Sequence, residues 1–188
     1  MEELNFKASD EEPAIVITKY IALQGTSLIA HMKEDELAGR FHPDIVKAAK
    51  NFIKECDVSA ERKVVEETSP ALIIEMGEGG LLAALWEASK VTGMGVDTDL
   101  NKVPIKQETV EICELYDLNP YEINSAGSLL IVTSHERKIC EALKDIGVNA
   151  AVVGSLNHGR DKILRHNGIE SCLNRPAGKI ISRILDEI

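Results

Sequence analysis

Short apolar runs alternate with longer amphipathic stretches along the 188 residues. Residues 14–18 (AIVIT), 71–75 (ALIIE), 96–98, 128–133 (SLLIVT) and 150–153 are rich in β-branched residues and leucine, the composition of buried strands. Between them, apolar positions recur at helical spacing. Pro43 at a first-turn position precedes Ile45, Val46, Ala49, Phe52 and Ile53, and Ile139, Leu143 and Ile146 share one face of HERKICEALKDI. The runs LLAALWEASKVT and, from Lys106, KQETVEICELYD also read as helices. Gly25-Thr26 is positioned to open the helix containing LIAHM, while Ser59 and Ser134 read as N-caps and Gly93 and Gly147 as terminating glycines. Residues 162–172 read as a hairpin around Asn167-Gly168, a pair suited to a type I′ turn. Ile180, Ile181, Ile184, Leu185 and Ile188 predict a closing amphipathic helix. This order predicts an α/β (α+β) domain, a mixed sheet covered by helices, over residues 13–188 after a polar lead-in at 1–12.

Charge narrows the function classes. The net charge of -10 disfavours sequence-independent binding to a phosphate backbone, so no nucleic-acid partner is expected. No apolar run approaches a membrane span. The acidity is uneven: residues 61–122 carry -8, whereas 155–188 carry +2. In that basic end, Arg160, Lys162, Arg165, Arg175, Lys179 and Arg183 form either a solvated face or a surface for an anion. Cys56, Cys113, Cys140 and Cys172 contain no CxxC pair and follow no signal sequence, which predicts reduced thiols and a cytoplasmic location. The five histidines show no zinc-ligand spacing.

The most informative stretch is ALIIEMGEGGLLAALWE. A strand running into Gly77, Glu78, Gly79 and Gly80 and then a helix presents backbone N–H groups and a positive helix end without Cβ crowding, a geometry suited to an anion. It also serves as a plain strand-to-helix turn, and it is neither a Walker loop nor a GxGxxG motif. Glu78 would repel a phosphate unless a cation lay between them. Magnesium, which takes carboxylates with phosphate oxygens and water, meets that need, with Glu75 as a second oxygen donor or simply a surface acid. The turns Gln24-Gly25-Thr26 and Asn124-Ser125-Ala126-Gly127-Ser128 offer further amides and hydroxyls. They read either as caps and chain turns or as additional contacts to phosphate or sugar oxygens.

Taken together, IVITKYIALQGTSLIA, the EGG loop with ALWE, the NPYE segment, SAGSLLI and GVNAAVVGSL resemble the C-terminal domain of the aminoimidazole ribonucleotide (AIR) synthase-like superfamily. Among its members, the chain resembles the hydrogenase maturation protein HypE and synthase-related proteins near it. The resemblance implies an α/β fold with partial ferredoxin-like topology. It also implies ATP and magnesium as cofactors, in a cleft shared with an N-terminal domain. Gly77, Gly79 and Gly80 would face the phosphate region, with Gly25, Thr26 and Ser128 near the cleft. Two departures shape the expectation. No N-terminal ATP-binding half is expected on this chain, and residues 183–188 do not match HypE's Pro-Arg-X-Cys tail, so thiocyanate formation is not expected.

The sequence is therefore read as half of an ATP-dependent synthase-like or kinase-like enzyme, inactive alone and completed by a separate N-terminal domain or, through self-association, by a homodimer. The alternative is a stand-alone, non-catalytic module for a small anion or for assembly. No Ser or Cys is paired with a base by spacing, so no catalytic residue is assigned.

Overall fold

The computed structural model describes residues 12–176. β1 (Ala14–Thr18), the AIVIT run, lies inside the sheet between two antiparallel neighbours, β4 (Leu129–Thr133) and β5 (Ala150–Asn157). β2 (Leu72–Glu75) forms one edge beside β4. On the other side, β3 (Gly95–Asp99) pairs with β5, and the hairpin strands β6 (Lys162–His166) and β7 (Ile169–Cys172) complete the order β2-β4-β1-β5-β3-β6-β7. Only β3 and β6 pair in parallel among the described strands. Two split β-α-β arrangements interleave as a result: β1 and β3 run the same way around β5, and β4 and β5 run the same way around β1.

The period-2 alternation of β1 and β4 gives each sheet face its own core. Ile15, Ile17, Leu130 and Val132 pack with Leu81, Ala84, Leu85 and Ala88 of α5 (Gly80–Thr92). On the opposite face, Val16, Leu129 and Ile131 meet Val65 of α4 (Ser59–Thr68) and Ile139 and Leu143 of α7 (Glu136–Asp145). A third cluster is wholly helical. It joins α1 (Leu23–Met32), α2 (Glu34–Ala38), α3 (Pro43–Asn51), the 3-10 turn Phe52–Glu55 and α6 (Gln107–Leu115) around Leu23, Ile29, Leu37, Phe52 and Ile112.

Several local expectations change. Gly25-Thr26 does not open α1. The helix begins at Leu23 behind Ala22, which adopts a left-handed conformation, and Gly25 sits buried in the first turn. Ser59 is the first helical residue rather than the cap of α4, because Asp57 Oδ1 accepts both its N–H (2.9 Å) and its hydroxyl (2.6 Å). Ser134 does not cap α7 either: Thr133 Oγ1 accepts the His135 N–H at 3.0 Å. The ALIIE strand is a half-buried edge, not a buried strand.

Pro43 does stand at the start of α3, and Gly93 closes α5 with φ 64°. Asn167 and Gly168 both have positive φ, as a type I′ turn requires. All four cysteines are free. Among the described residues, no helix is long and apolar enough to cross a membrane. The expected lead-in falls almost entirely, and the closing helix wholly, outside the described residues.

Arg165 of β6 grips Asp97 of β3 with two bonds of 2.8 and 2.7 Å and also meets Glu170 of β7, tying the parallel pair to the hairpin. The guanidinium holds the Asp97 carboxyl below the usual carboxylate range. A lowered folded-state pKa stabilises the fold above the unfolded value, and that contribution is lost as pH falls through the folded value. Arg165→Gln should therefore move the acid-unfolding midpoint, followed by far-UV circular dichroism, to higher pH. An unchanged midpoint would show that this pair carries no acid stability.

Candidate functional site

Three turns that are far apart in sequence meet at one end of the sheet. Ser125 is their hub. Its hydroxyl accepts the Ala22 N–H at 2.9 Å and donates to the Ile123 carbonyl at 3.1 Å, while its own N–H donates to the Gly77 carbonyl at 3.1 Å. The Gly25 N–H donates to the Asn124 carbonyl (2.9 Å), and the Met76 N–H to that of Ser128 (3.1 Å). Leu82, in the first turn of α5, donates to Tyr121 at 3.1 Å. Asn119 and Asn124 shape the 119–128 segment through side-chain bonds to the N–H groups two residues on, those of Tyr121 and Ala126.

The predicted site residues divide by role within this junction. Gly25 is a close-packing residue: a Cβ there would lie 3.0 Å from the Asn124 carbonyl oxygen. Thr26 is fully buried and shares a 3.0 Å hydrogen bond with Thr109. Ser128 is also buried, and its hydroxyl donates to the Tyr20 carbonyl. The Ser128 hydroxyl thus ties its turn to the segment before α1, and the Thr26 hydroxyl ties α1 to α6. Gly80 packs closer than Gly25, since a Cβ would come 2.5 Å from the Ile123 oxygen and 2.6 Å from that of Tyr121.

Gly77, Glu78 and Gly79 form the open side. Nothing lies within 4 Å of where a Gly77 Cβ would stand, and Glu78 is exposed. Among the described residues, the N–H groups of Glu78, Gly79 and Leu81 have no protein acceptor. The loop thus presents free donors at the positive end of a 13-residue helix, and these fit an anionic phosphate. Burial pushes the nearby Tyr121 phenol up, with Asp99 adding to the shift, and its hydroxyl reaches the Leu100 carbonyl at 3.4 Å.

The two proposed magnesium donors differ. Glu75 is engaged by Arg62 at 3.2 Å, whereas Glu78 has no ion-pair partner among the described residues. No group of three or more metal-ligating side chains occurs among the described residues. One carboxylate with phosphate oxygens and water is an ordinary magnesium environment, so Glu78 fits the ion and Glu75 fits only by releasing Arg62.

Residues 11–167 match the family described as AIR synthase related protein, C-terminal domain. The chain belongs to this family. This AIR synthase related domain is 28% identical over 116 residues to the phosphoribosylformylglycinamidine synthase subunit PurL of Caldanaerobacter subterraneus, covering 59% of this chain but 15% of that one. Its fold matches E. coli HypE, a hydrogenase maturation protein, with a TM-score of 0.73 at 18% identity, covering 92% of this chain and 52% of that one. A HypE solved in complex with ATP gives 0.65 at 16% identity (86% and 50%), and a ThiL complexed with AMPPCP and TMP gives 0.64 at 15% (90% and 51%). The AIR synthase related domain thus spans about half the length of these solved chains and far less of PurL.

What the sequence did not reveal is the part played by Ser125, which lies in a segment noted only for its small residues. Its one visible signal was the pair of asparagines, at 119 and 124, that set the surrounding turns.

Proposed function

We propose that this domain contributes the Gly77–Gly80 loop to a nucleotide cleft completed by a separate N-terminal domain, within an ATP-using protein of the AIR synthase and HypE kind. The observation that carries the reading is the open glycine loop, with its unpaired amides, in a fold shared with proteins crystallised with ATP or AMPPCP. That those chains are about twice as long supports a role for this chain as one part of the cleft. In this reading, the amides of Glu78, Gly79 and Leu81 bind phosphate oxygens and Glu78 shares a magnesium ion with them. ATP supplies the phosphoryl group for transfer to an oxygen of the substrate. This domain's own part is to bind and orient the phosphates, and its buried junction keeps the loop rigid while it does so.

Calorimetric titration of ATP with magnesium tests the reading. The chain alone should bind weakly, and adding its N-terminal domain, expressed separately, should tighten binding at least tenfold. Gly77→Asp enters open space, so the variant should fold normally and still lose that gain because it places a second carboxylate beside the phosphates. If Gly77→Asp binds as tightly as the unmodified chain in the completed assembly, the loop does not face the nucleotide. If the N-terminal domain brings no gain at all, the domain is better read as a stand-alone anion-binding or assembly module.

A further inference from the structure

The six basic residues noted near the end of the sequence separate into distinct roles. Arg165 is consumed by Asp97 and Glu170, and Lys179 and Arg183 lie outside the described residues. Arg160 and Lys162, by contrast, join Lys90 around a cleft of about 410 Å³ between the C-terminal half of α5 and the turn leading into β6. Trp86 supplies its apolar lining, with the buried Met94 beneath. Among the described residues, none of these three cations has a carboxylate within ion-pair distance. This occurs in a chain whose net charge is -10.

The cleft has a fixed floor. Ser89 donates to the Met94 carbonyl at 2.6 Å, and Gly93 closes α5. Lys162 is held by its register opposite Val96 and by the Leu173 N–H, which donates to its carbonyl at 2.8 Å. Its ammonium stands 5.0 Å from the centre of the Trp86 ring. Ordinary surface chemistry accounts for part of the charge: Lys90 complements the C-terminal carbonyls of α5, and the Trp86 ring attracts Lys162. A helix end offsets only about half a charge, however, which leaves most of three positive charges around one small cleft. The adjoining groove shares Trp86, Arg160 and Lys162 with this cleft and adds Asp161 and Glu170, whereas Lys90 lines this cleft and not that groove.

We infer that this cleft binds a small phosphorylated organic molecule, its phosphoryl group held by Lys90, Arg160 and Lys162 and its apolar part lying against Trp86. The volume falls in the range of small-molecule sites, roughly 300–1,000 Å³. The site is separate from the glycine loop: Lys90 lies ten positions along α5 from Gly80, or about 15 Å at the helical rise. It requires no N-terminal domain.

Trp86 is the only tryptophan in the chain and lines both this cleft and the adjoining groove, so its fluorescence reports on this part of the surface, and the variant that removes Lys90 assigns the response to the cleft. Phenyl phosphate added to the full chain should change Trp86 emission saturably, and calorimetry should give the same affinity. Inorganic phosphate should bind several-fold more weakly for want of an apolar part. The double variant Lys90→Gln/Arg160→Gln alters exposed side chains and should weaken phenyl phosphate at least tenfold without changing the circular dichroism spectrum. A response no greater than that to potassium chloride at equal ionic strength would overturn the site, as would unchanged binding by the double variant. Equal affinity for inorganic phosphate would overturn the apolar half of the assignment.

Discussion

Gly80→Ala should be among the most damaging single substitutions in this protein, costing on the order of 3 kcal/mol or more, at the upper end of what point changes do. Its Cβ would stand 2.5 Å from the Ile123 oxygen and 2.6 Å from the Tyr121 oxygen, both backbone atoms in the turn that Ser125 anchors. The residue also has φ +60°, a conformation that disfavours any side chain. Neither obstacle can be relieved by rotating a neighbouring side chain, so the first turn of α5 would have to separate from residues 121–123. Urea denaturation is the measurement, with Gly77→Ala as the control. That position has open space around it and should change stability by less than about 1 kcal/mol. Equal, small losses for both variants would mean that the junction is far more yielding than its geometry implies.

The second large effect concerns the end of β1. Lys19, with φ 52°, turns its ammonium inward to Glu61 of α4 at 2.9 Å and donates to the carbonyls of Glu55 and Asp57 at 2.9 and 2.6 Å. Glu61 is only 3% exposed. Lys19→Met leaves that carboxylate buried without its counter-charge and two carbonyls without their donor, a loss of about 3–5 kcal/mol. Removing both charges in Lys19→Met/Glu61→Leu should recover most of it, because an apolar pair avoids the desolvation that the ion pair must offset. Chemical denaturation of the two single variants and the double variant completes the cycle. A double variant as unstable as Lys19→Met would locate the loss in the carbonyl contacts and not in the charge pair.

These two sites also show what sequence could and could not convey. AIVIT, SLLIVT and LLAALWEASKVT announced their elements because burial on a sheet or helix face demands β-branched or leucine-rich periodicity. The helix starts were harder to place. Asp57 and Thr133 do the work expected of Ser59 and Ser134, because any short oxygen-bearing side chain near the boundary competes for the same N–H groups. The family resemblance identified the fold and directed attention to Gly77–Gly80. The inward turn of Thr26 and Ser128 was not legible, since their partners Thr109 and Tyr20 lie 83 and 108 positions away. The Trp86 cleft was half visible: the basic residues stood out, but pairing Arg165 with Asp97 while leaving Arg160 open depends on the register of β3 and β6.

The interior place of β1 in the sheet bears on how the chain is made. β1 lies inside the sheet between β4 and β5, yet the Leu129 N–H that bonds Thr18 is 111 positions away. At ordinary synthesis rates that interval is roughly 6–22 s, during which AIVIT has neither of its sheet neighbours. The nascent domain is therefore exposed to off-pathway association until β4 and β5 emerge, and its yield in cells should depend on elongation rate and chaperone supply.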